Sequence, residues 1–396
     1  MKEIKPLMIA NILCISALMA FLSVVGPLIR ELGLQEWHAG LTVAVAGVIW
    51  IVTARAWGKR SDRTGRRIIL LAGTLGFTAS YMALAAFVDF ALVSPPAVVV
   101  TLFILIFTRG MIGLFYSAVP PVSAAYIADK VEPVERASYM AKLGASTGMG
   151  MIFGPAFGGM LAVYGLAVPL YVAALLPLIA FMVLYFKLPE SKQEHTEQDG
   201  KVKMVDPRLR LPMSAAFLTM YSVVTSQVCL GFFVMDGLGL GVIESSKVTG
   251  YTLSSIGITF VASQIAVSRF RSVMPSLWLR IGAVTAGIGM AVVSVMDSQL
   301  VLIFGFCVAS LGMGMIFPAF QALAANSVES HEQGMAAGTV SAAQGIGMIA
   351  GPLVSTALYG LDPVVPFAAA SLAFIFLSVV SLRHKDRNIV PEPAEV

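Results

Sequence analysis

Twelve runs of mostly apolar residues, each close to twenty residues or longer, divide this 396-residue chain from end to end. No other feature restricts the possible folds so tightly. A helix of about 20 residues crosses the hydrocarbon of a bilayer and satisfies its own backbone on the way, so such runs read as membrane-spanning helices. The spans are expected near 7–29, 39–57, 68–90, 97–127, 138–163 and 166–187, then near 211–235, 248–268, 276–296, 298–324, 334–358 and 364–382. A polar stretch, LPESKQEHTEQDGKVKMVDPRLR at 188–210, separates the two groups of six. A transmembrane barrel would instead show short segments of alternating hydrophobicity. The fold class is therefore an all-α membrane protein. The first run is longer than the about 7–15 apolar residues of a secretory signal, so it is expected to remain as the first span.

Charge placement orients the spans. Only 12% of the residues are charged, about half the share in a soluble domain. With the N-terminus in the cytoplasm, twenty Lys and Arg fall on that side and only Arg30 and Lys247 on the other. That bias predicts cytoplasmic termini and an even number of spans in a cell membrane. Nucleic-acid binding does not fit, because the basic residues flank apolar spans. Cys14, Cys229 and Cys307 lie inside apolar runs, and the four histidines are scattered. Neither pattern suggests a disulfide framework, a metal site or a cofactor. The few polar residues in the spans form no catalytic constellation, so an enzyme is not expected.

An internal repeat divides the chain. Residues 121–155 and 318–352 align without gaps at an offset of 197 and match at thirteen of 35 positions, including VE..E in a loop and G.GMI.GP in the next helix. Two six-helix bundles related by a pseudo-two-fold axis are expected, 1–187 and 211–396, joined by a linker at 188–210. Parallel repeats of this kind recur in transporters, with the substrate site near the midplane between the halves.

Three motifs sit on particular spans. GKRSDRTGRR, from Gly58 to Arg67, lies between spans 2 and 3; FTRGMIGLFYSA lies in span 4; GASTGMGMIFGPAFGG lies in span 5. Together they resemble the major facilitator superfamily over almost the whole chain, and the third resembles its drug/proton antiporter branch. The resemblance implies a cytoplasmic latch. Asp62 would cap the N-terminus of span 11 near Gly334–Gly338, where a carboxylate meets orphan amides and the positive end of the helix dipole. Gly58 would allow a close backbone approach, and Arg63 or Arg66 would pair with Asp129. The latch would favour the outward-open state. The second-half loop, SRFRSVMP, lacks the acid. In span 5, Gly148, Gly150, Gly154 and Gly158 are expected to pack against span 8 as a gate, with Pro155 permitting a bend.

The residues themselves add a charge argument. Arg109 lies mid-span, where an arginine costs about 2.5–3.5 kcal/mol on insertion scales. It is expected to face the cavity or to meet helix carbonyls, and two roles stay open for it: locking spans 1 and 4 together, or binding and proton-linked switching. Lys142, Tyr116, Gln227, Gln321, Gln344 and Asn11 are further candidates for polar contacts to substrate or for proton coupling. No Asp or Glu sits at the centre of an N-half span, and Asp89, Asp129, Asp236 and Asp297 fall near span ends. A positive or neutral cavity follows. The expected function is proton-coupled efflux of a small amphipathic molecule, neutral or anionic rather than a bare cation, by a monomer in the bilayer. Two alternatives are an exporter dedicated to an endogenous anionic metabolite, such as a siderophore-like chelator or a lipid-linked molecule, and a membrane sensor that has lost transport.

Overall fold

The computed structural model describes residues 4–190, 206–270, 273–328 and 333–382, apart from the side chains at 128, 133–138, 141 and 333–335. Thirteen α-helices make twelve membrane-length spans among the described residues. The first half holds α1 (Lys5–Glu31), α2 (Glu36–Thr64), α3 (Arg66–Val93), α4 (Val98–Tyr116), α5 (Val119–Lys130), α6 (Pro133–Leu161) and α7 (Val168–Lys187). The second half holds α8 (Arg210–Leu238), α9 (Val242–Arg269), α10 (Pro275–Ser294), α11 (Gln299–Asn326), α12 (Gln333–Tyr359) and α13 (Val365–Leu382). Each half is a six-span bundle. Below, the terminal end is the face where α1 begins and α13 finishes; the far end is the opposite face.

The fourth span is interrupted, unlike the continuous helix expected over 97–127. α4 stops at Tyr116 and α5 starts at Val119. Pro120 and Pro121 cannot donate to the carbonyls one turn earlier, and their rings crowd those carbonyls. The Ala118 amide therefore donates to Phe115 O instead of Leu114 O. The Leu114 carbonyl so released accepts from Trp57 Nε1 at 2.8 Å and from Ser117 Oγ at 2.7 Å. In the second half, Pro318, the repeat equivalent of Pro121, stays within an unbroken α11.

Helix ends follow local chemistry. Gln35 and His38 cap α2 reciprocally, with the Gln35 amide donating to His38 Nδ1 at 2.9 Å. Gly65 alone joins α2 to α3 with φ +100°, a region that disfavours side chains. Proline stands in the first turn of α1, α5, α6, α7 and α10, where no amide is lost to the helix. Of the linker 188–210, its two edges are described, and both are anchored by buried leucines, Leu188 and Leu209. Asp206 caps the short turn Pro207–Leu209 by accepting from the Arg208 amide at 2.8 Å.

The halves meet along α1–α8 and along two lateral seams, α2–α12 and α6–α9. These contacts concentrate at the far end. The buried residues of α2 run from His38 to Ala46, and beyond them only Ser61 is buried. Those of α9 run from Ser245 to Gly257, followed only by Ser263. Both helices run from the far end to the terminal end, so both seams are closed at the far end and part toward the terminal end.

Candidate functional site

Midway between the halves the passage narrows to a cavity of about 30 Å³. Met19 and Leu22 of α1 and Met151 and Pro155 of α6 face Val223 and Gln227 of α8, Leu253, Ile256, Gly257 and Phe260 of α9, and Ser310 and Met313 of α11. Methionine and phenylalanine give a deformable apolar wall. Gln227 is the polar side chain it offers to a ligand, and it reaches Met19 Sδ at 3.9 Å. Ser310 is already engaged, donating to Ile256 O at 2.7 Å. Small-ligand sites occupy about 300–1,000 Å³, so the passage at this level is shut to a substrate.

Beyond the cavity, the far end is closed by an ion cluster. Arg30 of α1 makes a forked pair with Asp236 of α8, with Nη2 at 2.7 Å from Oδ2. The same Nη2 lies 2.9 Å from Glu36 Oε1, at the start of α2. Tyr359, the last residue of α12, donates to Asp236 Oδ2 at 2.6 Å. The guanidinium also stands over the Phe232 ring, 5.5 Å from its centroid. Directly below, α1 and α8 cross at Gly26 and Gly231, where a methyl on Gly26 would fall 2.9 Å from the Gly231 carbonyl carbon. Nothing in the sequence pattern alone brings these four residues together. A signal for two of them is present: Arg30 is one of only two cations assigned to that side, and Asp236 ends the repeat-equivalent helix.

The span 5 motif divides between two partners, which corrects the expectation that all its glycines face span 8. Gly150, Gly154 and Gly158 recur every fourth residue and face α1 in their own half; methyls there would meet Ile15, Ser16 and Ala20. Gly148 and Gly159 face α9 across the seam. A methyl on Gly159 would lie 2.7 Å from Ser246 O, and one on Gly148 3.0 Å from Val261 Cγ2. Ser254 of α9 adds a hydrogen bond to Ile152 O at 3.0 Å. With 3.6 residues per turn, 150/154/158 and 148/152/155/159 lie on different faces of α6. Pro155 lies within an unbroken α6 and lines the cavity.

At the terminal end, Arg66 takes the pairing expected of Arg63 or Arg66. Its Nε lies 2.9 Å from Asp129 Oδ2, and it also pairs with Asp62. Asp62 thus turns to Arg66 within its own half; residues 329–332 and the side chains at 333–335, beside its expected cap site, lie outside the described set. Arg63 is exposed. Gly58 and Gly338 have open space where a side chain would be, so the close approach expected at Gly58 is absent with the seam parted. Arg67 instead ties the loop to the last turn of α7 and the linker after it: Nη2 donates to Tyr185 O at 2.6 Å, and the Arg67 amide lies 3.4 Å from Glu190 Oε1. In the second-half loop, residues 271–272 lie outside the described set.

The remaining candidates separate. Arg109 is buried at 3% exposure with its guanidinium 4.2 Å above the Phe21 ring of α1. Its Nε and Nη1 have no hydrogen-bond partner among the described residues. It therefore sits inside the first bundle behind α1, and neither faces the cavity nor meets carbonyls through those nitrogens. Asn11 is committed to structure: Nδ2 donates to Ser146 Oγ and Thr147 Oγ1, both at 2.8 Å, tying α1 to α6. Tyr116 is buried against Phe77, ring centroids 5.5 Å apart. Lys142 is exposed, its Nζ 4.3 Å from the Tyr139 ring centre. Gln321 is exposed and Gln344 half-buried; neither lines the central cavity.

Residues 7–352 match the family model of the Major Facilitator Superfamily, with a second match over 279–394. The chain belongs to the Major Facilitator Superfamily. Over 352 residues, 85% of each chain, this superfamily member is 30% identical to the tetracycline resistance protein, class G, of Vibrio anguillarum. It is 25% identical over 352 residues to multidrug resistance protein 2 of Bacillus subtilis, covering 85% of this chain and 83% of that one. Among solved structures, the superfamily fold aligns with nucleoside transporter NupG at TM-score 0.76 and 13% identity, over 96% and 98% of the two chains. It also aligns with an inward-facing bacterial homologue of the human lysosomal transporter Spinster at TM-score 0.71 and 13% identity, over 96% and 94%. The protein is a multi-pass membrane transporter of small molecules.

Proposed function

We propose that this superfamily member is a proton-coupled efflux transporter whose substrate is a small amphipathic molecule, neutral or anionic rather than a bare cation. The observation that carries the reading is the charge of the interior. The central cavity is lined by apolar side chains with Gln227, and no carboxylate lines it among the described residues. The buried charge of the first bundle is a cation, Arg109, stacked on Phe21 of α1, the helix that also supplies Met19 and Leu22 to the cavity. Asp129 and Asp236, the carboxylates that would otherwise invite a cation, are each paired with an arginine. An arginine keeps its charge in a protein, and a low-dielectric surround extends its field.

The likeness to resistance proteins for tetracycline and for multiple drugs supports efflux as the direction of transport. The twenty-to-two distribution of cations supports cytoplasmic termini in a cell membrane. With that orientation the structure is the inward-open state, closed outside by the Arg30–Asp236 cluster. The two bundles, with the 188–210 segment as tether and Asp62 as the opposing latch, then act as one alternating-access monomer.

Transport by the purified protein in liposomes tests this, with matched cationic, neutral and anionic compounds screened with and without an imposed proton gradient. The expected result is gradient-dependent movement of neutral and anionic compounds. Preference for monovalent lipophilic cations would overturn the substrate class, and indifference to the gradient would overturn the coupling.

A further inference from the structure

The two halves differ in one seam that their repeat makes equivalent. In the first half, α7 packs along α1 as well as α3. In the second half, α13 packs along α10 but meets α8 over a much shorter stretch. Beside that stretch lies a groove of about 440 Å³ between α8, α12 and α13. Its size falls within the range of about 300–1,000 Å³ typical of sites for small ligands. The repeat explains the space. Val168-Pro169 of α7 corresponds to Val365-Pro366 of α13, so Leu176 corresponds to Ala373. Leu176 packs against the apolar core, while Ala373 lines the groove.

Except for Ser214, the lining is apolar, and Met213, Phe217, Phe376 and Val380 belong to it. These residues lie in the first two turns of α8 and the second half of α13, which places the groove in the terminal-end half of the membrane. One turn before Ser214, on the same helix face, stands the exposed Arg210 that opens α8. The chain that follows α13 adds Arg383, Lys385 and Arg387 in sequence. An apolar slot within the bilayer one turn from an exposed arginine is complementary to a molecule with an anionic head and a hydrocarbon tail. Basic pockets between spans on the cytoplasmic side take lipid head groups.

We propose that this groove is a binding site for an anionic phospholipid of the adjacent leaflet, one acyl chain lying between α8, α12 and α13 and the phosphate at Arg210. The site is distinct from the passage between the halves. It takes its leaflet from the orientation proposed above, but its test reads lipid binding alone and leaves the efflux reading untouched.

The experiment is native mass spectrometry of the detergent-purified full chain, delipidated and then titrated with phosphatidylglycerol or phosphatidylcholine of identical chains. The parent should retain phosphatidylglycerol at least about fivefold better. Arg210→Gln should remove that preference, while Ala373→Phe should lower retention of both lipids. Val380→Phe, at an exposed position on the mouth, is the second occluding variant should Ala373→Phe fail to fold. Equal retention of the two lipids by the parent would overturn the head-group assignment. Undiminished phosphatidylglycerol binding in a folded occluding variant would overturn the groove.

Discussion

Arg30 on α1 and Asp236 on α8 bind the two halves of the transporter at the far end, through a forked pair with Nη2 2.7 Å from Oδ2. Both side chains are about one-third exposed, at 31% and 29%. An isolated pair so placed is worth about 0–1 kcal/mol after screening. The Tyr359 and Glu36 contacts hold the geometry and make the four residues act together. Asp236→Asn should therefore raise the far-end-open population by about fivefold, near 1 kcal/mol of bias. Spin-label distances between the ends of α1 and α8 report it. Tyr359→Phe should show a smaller shift, and unchanged distances in both variants would remove the cluster as a gate.

The two faces of α6 predict two different failures from similar substitutions. Gly159 meets α9 across the seam, near Ser246 O and Gly250. Gly159→Val should leave folding intact and prevent far-end closure, stopping transport while the melting temperature changes little. Gly154 meets Ser16 and Met19 of α1 within one bundle. Gly154→Val should instead lower the melting temperature, since overpacking costs about 1–3 kcal/mol. Identical behaviour of the two variants would contradict the division.

Asn11 ties α1 to α6 through its side-chain amide. Asn11→Ala breaks the bonds to Ser146 and Thr147 and should cost about 1–3 kcal/mol of stability. Thermal melting reads this directly, and substrate affinity of the folded variant should match the parent.

The terminal-end loop is graded by burial. The Arg66–Asp129 side chains are only 12% and 5% exposed, while Asp62 is 31% exposed. Arg66→Ala should destabilise by about 1–3 kcal/mol, as expected for a charge-assisted bond in a buried site. Asp62→Asn should change melting by less than about 1 kcal/mol. It should nevertheless lower transport if Asp62 caps α12 when the seam closes. Full transport activity in Asp62→Asn would exclude that latch.

We propose that Arg109 acts on substrate through its field, because it is buried against Phe21 of α1 and does not line the central cavity. Arg109→Ala should weaken binding of an anionic substrate at least about tenfold, or 1.4 kcal/mol, with little effect on a neutral one. Arg109→Lys should rescue in part, keeping the charge but losing the planar stack on Phe21. Equal loss for both substrates would assign Arg109 to packing alone.

Span positions and their number were legible from the sequence, because a bilayer enforces length and apolarity residue by residue. The expected span at 138–163 became α6 at 133–161, and that at 211–235 became α8 at 210–238. The exception lies at the adjacent Pro120 and Pro121 of the fourth span, whereas the single prolines Pro155 and Pro318 leave their helices unbroken. The Arg66–Asp129 pair was legible too, as one of two pairings that the motif allowed. Partner choice was not. A helix apolar on every side carries no mark of which face meets which neighbour, so Gly154 and Gly159 read alike in the sequence and differ only once α1 and α9 are in place. The same holds for Asn11 and Gln227, two polar residues in apolar runs, one consumed by α6 and one left in the cavity wall. Arg30 and Asp236 lie 206 positions apart, and only the crossing of α1 and α8 makes them neighbours. The sequence by itself determined what enters the membrane and where each span lies. The rotation and crossing of the helices decided which polar groups satisfy one another, because in lipid those groups have no water to turn to.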